Sequence, residues 1–206
     1  MDNKKREKIY KFKKYPHIDP KIHWREVYRA VESPEYISSH GFYPFIHYTQ
    51  VSSKYPAKYL SGKSEQRDEP KKREIMYSGH LDRYIYEYYA HLINCEYNKR
   101  VKQDSTNKCS VAYRNNLHKN NVNFAKEAFD AIRRIENAYV IIGDFTSYFD
   151  NISHSYLKEM LCSLLGTEHL SDDLYVVFRS ITNYAFVDLE KVIAYKSKIL
   201  LMSRIE

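Results

Sequence analysis

Apolar and polar positions along the chain predict helices more often than strands. From Gly79 to about Lys102, the residues Leu81, Tyr84, Ile85, Tyr88, Tyr89, Leu92 and Ile93 recur at helical spacing and form one wide stripe. Ser78 can cap this helix, and Asp82 suits its first turn. Asp19-Pro20 predicts an earlier start, with Trp24, Val27, Tyr28 and Val31 on one face and an end near Ser33-Pro34. Asn121 or Asn123 can cap a helix carrying Phe124, Ala128, Phe129, Ile132 and Ile135. Ser153 opens another through Leu157, Met160, Leu161 and Leu164, which Gly166 terminates, and Asp172 to about Phe186 reads as one more. Strand signals are fewer. Residues 43–50, YPFIHYTQ, alternate Phe45, His47 and Thr49 against Ile46 and Tyr48, and Arg73 to Tyr77 reads as a partner strand. Ala138 to Ile142 is a short continuous apolar run, the pattern of a buried strand, and it leads into Gly143-Asp144. The fold class expected is α+β, helix-rich with a small antiparallel sheet.

Composition adds a partner class. The chain has 206 residues, enough for one or two domains, and 33 Lys and Arg against 26 Asp and Glu leave a net charge of +7. That balance favours an anionic partner. Seven basic residues precede Tyr15, which reads either as a frayed arm lying on phosphates or as a plainly solvated terminus. Residues 51–73 hold seven more Lys or Arg, among them Lys54, Lys58, Lys71, Lys72 and Arg73, with Pro56, Gly62 and Pro70 breaking any helix. A basic loop between two strands suits a hairpin reaching over a phosphate, and equally an ordinary exposed loop. The three cysteines are widely spaced and match no zinc pattern. With no secretory leader and no run of the ~20 apolar residues a membrane span needs, the expectation is a cytoplasmic protein without a membrane partner.

One stretch carries chemistry: AYVIIGDFTSYFDNISHSYL, residues 138–157. Nucleotidyl transfer requires carboxylates holding divalent ions ~3.5–4 Å apart, and magnesium prefers hard oxygen ligands while keeping several waters. Asp144 at a strand end suits that role, with the backbone carbonyl of Phe145 as an extra oxygen. Taken alone, such an Asp is as readily a turn or cap residue.

Four blocks resemble bacterial reverse transcriptases of the group II intron, retron and phage-defence kind: FYPFIHYTQ, KKREIMYSGHLDRYIYEYYAHLINCEYN, SVAYRNNLHKNNVNFAKEAF and GDFTSYFDNISH, together spanning roughly residues 40–185. HGFYPFIHY and SVAYRNN are most similar to the phage-defence enzymes, which implies a role in antiviral defence. The resemblance implies right-hand polymerase fingers and a partial palm, divided into a basic N-terminal extension with a helix (1–40), fingers (41–137) and a partial palm (138–206). It implies an RNA-directed DNA polymerase using Mg²⁺ or Mn²⁺, an RNA template, a DNA primer or product, and dNTPs. On this likeness Asp144 is the catalytic metal ligand, with the Phe145 carbonyl. Phe149 is a steric gate against a ribose 2′-hydroxyl, its alternative being a core phenylalanine. Arg73, with Lys71 or Lys72, grips the triphosphate. Arg114, Lys54 and Lys58 are candidates for nucleic-acid contact, Arg114 alternatively for structural pairing. Asp82-Arg83 reads as a buried ion pair or cap, and Asp150 and Asn151 as braces of the motif. The family's Tyr-x-Asp-Asp motif does not occur in these residues, and Asp172-Asp173 sits at a helix start instead. The expectation is therefore a chain inactive alone, completed by a missing C-terminal half or a homo-oligomer, or else a non-catalytic RNA-binding module or truncated remnant.

Overall fold

Trp24 opens the first long amphipathic segment, but its cap is His23 and not the expected Asp19: the His23 ring accepts from Arg25 N–H while Glu26 returns to the His23 N–H. A computed structural model describes residues 1–52 and 70–202, with the side chains of 115 and 196–202 not described. Lys54 and Lys58 lie outside the described residues. The helices are α1 (Asn3–Ile9), α2 (Trp24–Val31), α3 (Pro34–Ser38), α4 (His80–Gln103), α5 (Asn121–Arg133), α6 (His154–Leu165), α7 (Asp172–Thr182) and α8 (Leu189–Met202). The strands are β1 (Phe45–Ser52), β2 (Lys71–Tyr77) and β3 (Phe186–Asp188), in the order β2-β1-β3. β1 pairs antiparallel with β2, as the sequence predicts, and parallel with β3, so the sheet is mixed and not purely antiparallel. The α+β class holds.

Two compact units form, residues 1–88 with 172–206 and residues 89–171. The N-terminal segment contributes to the core of the first of these. In the first unit Tyr10 is 2% exposed and packs on Trp24 and Tyr84, with ring centroids 6.0 and 5.7 Å away. Asp2 caps α1, and Arg6 makes a two-pronged pair with Glu32 at 2.8 and 2.7 Å. The arm expected to fray is therefore held. Ile37, Ile46, Ile85, Val177, Phe178 and Val192 complete this core, each fully buried aliphatic worth about 1.5–3 kcal/mol. Burial pushes the Tyr86 hydroxyl up to about 12 despite its bond to Ser180 Oγ.

Asp19 does its capping at a distance. Its Oδ2 accepts from the N–H groups of His80 (2.6 Å) and Leu81 (3.3 Å) at the start of α4, and its Oδ1 meets the Nδ1 atoms of His17 (2.7 Å) and His80 (2.9 Å). Burial alone would raise this carboxyl, but the bonds from His80 and Leu81 hold it below its ordinary range. Asp82 accepts from Tyr43 N–H and meets His40 Nε2 at 2.7 Å, while Arg83 pairs with Glu87. Asp82 and Arg83 are thus both buried, each with a different partner. Gly79 is required beside them, since a Cβ there would stand 3.1 Å from Asp19 Oδ2 and 3.2 Å from Asp82 Oδ2.

In the second unit, α5 is capped by Asn120 with Asn123 returning the bond, and α6 by Ser153. Gly166 ends α6 with φ +67°, the left-handed turn a glycine takes without cost.

Candidate metal and nucleotide site

Ser147 sets the local geometry of the GDFTSYFDN segment. Its backbone takes a φ of +51°, and its carbonyl accepts from the N–H groups of Asp150 (3.1 Å) and Asn151 (3.2 Å) and from Asn151 Nδ2 (2.9 Å). Asn151 therefore braces the turn, as expected, and a single 3₁₀ turn at Phe149–Asn151 follows. The result is one open cavity of about 630 Å³ lined by Asp144, Phe145, Ser147, Tyr148, Phe149 and Asp150. Asp144 and Asp150 are exposed, and neither carboxylate is engaged in a hydrogen bond or ion pair among the described residues. Phe149 is 73% exposed, which removes the reading of it as a core residue. Phe145, Tyr148 and Phe149 form a chain of ring contacts, with centroids 5.9 and 5.4 Å apart.

The run before Asp144 is not the buried strand the sequence predicts. Residues 138–142 have no ladder partner among the described residues, and Tyr139, Ile141 and Ile142 are 101%, 95% and 91% exposed. A continuous apolar run forms a buried strand only when neighbouring strands and a covering layer are supplied. The described residues supply neither. Asp144 is thus carried on a segment without regular secondary structure and not on the end of a strand.

The basic residues expected to meet a triphosphate lie in the other unit, on the β1–β2 ladder. The register pairs Gln50 with Arg73, Val51 with Lys72 and Ser52 with Lys71. Because successive side chains alternate, Lys71 and Arg73 share one face and Lys72 projects from the other. All three are exposed, and Arg73 Nη1 reaches Ser52 Oγ at 3.4 Å. Lys71 is therefore the lysine on the same face of the ladder as Arg73.

Arg114 is 6% exposed, and each of its guanidinium nitrogens donates. Nε donates to Asn98 Oδ1 (2.7 Å), Nη1 to the carbonyls of Asn107 (3.0 Å) and Ser110 (2.9 Å), and Nη2 to Asn107 Oδ1 (2.8 Å). Of its two expected roles, this geometry is that of structural pairing. Its neighbour Tyr113 is 87% exposed.

Two clusters escaped sequence reading. One is the His17–Asp19–His80 group described above. The other is on the sheet: His47 Nδ1 meets Asp188 Oδ1 at 3.1 Å and Nε2 meets Glu74 Oε2 at 2.6 Å, one carboxylate from each flanking strand. Bonds to Asp188 and then Glu74 raise the His47 ring above its ordinary pKa; the bond with His47 lowers the Asp188 carboxyl, and those with Thr49 and then His47 lower the Glu74 carboxyl. Only the register shows which residues meet.

As a metal site, the 144–150 cavity offers the right chemistry: two carboxylates and the Phe145 carbonyl are hard oxygens suited to magnesium or manganese. No group of three or more His, Cys, Asp or Glu side chains able to hold a metal occurs among the described residues. No protein-family model matches this chain, and no curated protein matches its sequence. Among the described residues, no helix is long and apolar enough to cross a membrane.

Proposed function

We propose that this chain carries the fingers and the first palm motif of an RNA-directed DNA polymerase, acting on an RNA template, a DNA primer and dNTPs. One observation carries the reading: Asp144, exposed and unpaired among the described residues, shares one cavity with the exposed ring of Phe149 and a second carboxylate, Asp150. Asp144 and the Phe145 carbonyl would hold a divalent cation, which when bound supplies positive charge to the reacting oxygens. Phe149 fills the space a ribose 2′-hydroxyl needs, selecting deoxynucleotides. Lys71 and Arg73, on one face of the sheet, neutralise the triphosphate as charge develops on it.

The site is tested by titrating Mn²⁺ into the protein and following paramagnetic broadening of amide signals. Broadening is expected to centre on residues 144–150 and to vanish in Asp144→Ala, while that variant's stability stays within about 0.5 kcal/mol of the parent because the side chain is exposed and unbonded. Broadening unchanged by the substitution refutes the assignment. Primer extension by this polypeptide alone is expected to be absent, since the Tyr-x-Asp-Asp carboxylates do not occur in its sequence.

A second reading, RNA binding without chemistry, is favoured by the small donor set: two carboxylates line the cavity, fewer than a pair of metal ions requires. Salt-dependent RNA binding with no Mn²⁺ broadening at residues 144–150 would select it.

A further inference from the structure

We infer that the folded N-terminal segment, residues 1–21, is a docking surface for single-stranded nucleic acid. Of the seven basic residues before Tyr15, Arg6 is tied to Glu32, and the six lysines form no ion pair among the described residues. At 3.6 residues per turn, Lys4, Lys5 and Lys8 fall within about 100° of one another on α1, on the side away from Arg6. Lys11, Lys13 and Lys14 are exposed along the strap that follows, where Tyr10, His17 and Asp19 turn inward. Lys14 also shares a cavity of about 620 Å³ with Lys21.

This row of cations is held in place. Asp2 caps α1, Tyr10 is buried, Arg83 Nη1 donates to the Lys11 carbonyl at 2.7 Å, and Tyr77 Oη donates to the Pro16 carbonyl at 2.7 Å. The ordering cost that a floppy basic tail pays on binding is therefore already met within the fold.

The class of partner follows from what accompanies the charge. Phe12 is 44% exposed between Lys11 and Lys13, and Lys14 Nζ lies 5.9 Å from its ring. The Phe12 ring also rests against His23, with centroids 5.6 Å apart, and a half-exposed aromatic among cations is the arrangement on which unpaired bases stack while lysines follow the backbone. An anionic membrane is a poorer fit, because α1 (NKKREKI) contains one apolar residue and has no apolar face to bury. The surface uses no residue of the 144–150 cavity, so it stands or falls independently of the polymerase reading.

The experiment is fluorescence anisotropy of a labelled oligouridylate, titrated with the full chain between ~50 and ~200 mM salt. Each phosphate contact to a single strand contributes ~0.7 to the slope of log K against log salt, so K4Q/K5Q/K8Q is expected to lower that slope by ~2. K4R/K5R/K8R should restore it. Phe12→Ala should weaken binding ~10-fold with the slope unchanged, and Asp144→Ala should bind like the parent. Circular dichroism verifies that these exposed substitutions leave the fold intact. Parental affinity and slope in the glutamine triple variant overturn the proposal. So does loss of binding in Asp144→Ala, or binding to phosphatidylserine vesicles without binding to the oligonucleotide.

Discussion

Replacing Asp19 with alanine removes more than one cap. The carboxylate joins four groups, the N–H donors of His80 and Leu81 and the Nδ1 atoms of His17 and His80, at 2.6, 3.3, 2.7 and 2.9 Å. Its side chain is 4% exposed and those of His17 and His80 are 0% and 2% exposed, so water cannot readily take its place. Hydrogen bonds to a charged group contribute about 1.5–3 kcal/mol each, and removing one partner of a buried pair costs about 3–5 kcal/mol. Because the four contacts share one carboxylate and do not add, about 4 kcal/mol is the expected loss for Asp19→Ala. Asp19→Asn retains an oxygen for the α4 N–H groups and should lose about 2 kcal/mol. At roughly 2–4 °C per kcal/mol for a chain of this size, the alanine variant should melt about 8–16 °C lower. Urea unfolding followed by circular dichroism and by Trp24 fluorescence measures both. The folded carboxyl lies below its unfolded value, so its contribution is present above about pH 4 and lost as pH falls through the lowered folded value. An alanine variant within 1 kcal/mol of the parent, or one whose deficit persists unchanged in acid, would refute this account.

Three further outcomes follow from the same geometry. The His47 ring, raised by Asp188 and Glu74, should titrate by NMR above the ordinary histidine value of about 6.5. Its support of the sheet should be full below that value and disappear as pH rises through the folded one; Asp188→Asn should move the midpoint back down. Gly79→Ala should destabilise by about 1–3 kcal/mol in thermal melts, because the carboxylates its Cβ meets are fixed by hydrogen bonds and cannot retreat. Arg114→Ala should cost about 1–3 kcal/mol in stability by urea unfolding, for the part-buried hydrogen bonds it removes, while binding of oligouridylate by the folded fraction stays unchanged.

Elements whose signals are local were legible in advance. The α4 stripe, the Ser153 and Gly166 boundaries of α6, and the β1–β2 pair all follow from periodicity, capping chemistry and alternation, which act over a few residues. The Ala138–Ile142 strand was misjudged because burial of an apolar run is a property of its neighbours, and the described residues place none beside it. Asp19 was misjudged in the other direction: Asp-Pro is a sound helix start, yet this carboxylate caps a helix 61 residues away. At the candidate site the sequence pointed to Asp144 and Phe149 by spacing. It could not separate a gate from a core phenylalanine, because exposure is not written in one residue's identity.

By itself the sequence determined α2, α4, α5, α6 and α7, the β1–β2 ladder, the net positive charge and the short segment where carboxylates and aromatics gather. Each of these depends on contacts within one turn, one strand pair or one composition count. Only the tertiary structure decided that the N-terminal lysines stand on a folded surface, that Lys71 and not Lys72 faces with Arg73, that Arg114 is consumed internally, and that His47 sits between two carboxylates. Those facts depend on register and on packing between residues tens of positions apart, and chain distance says nothing about which of them will meet.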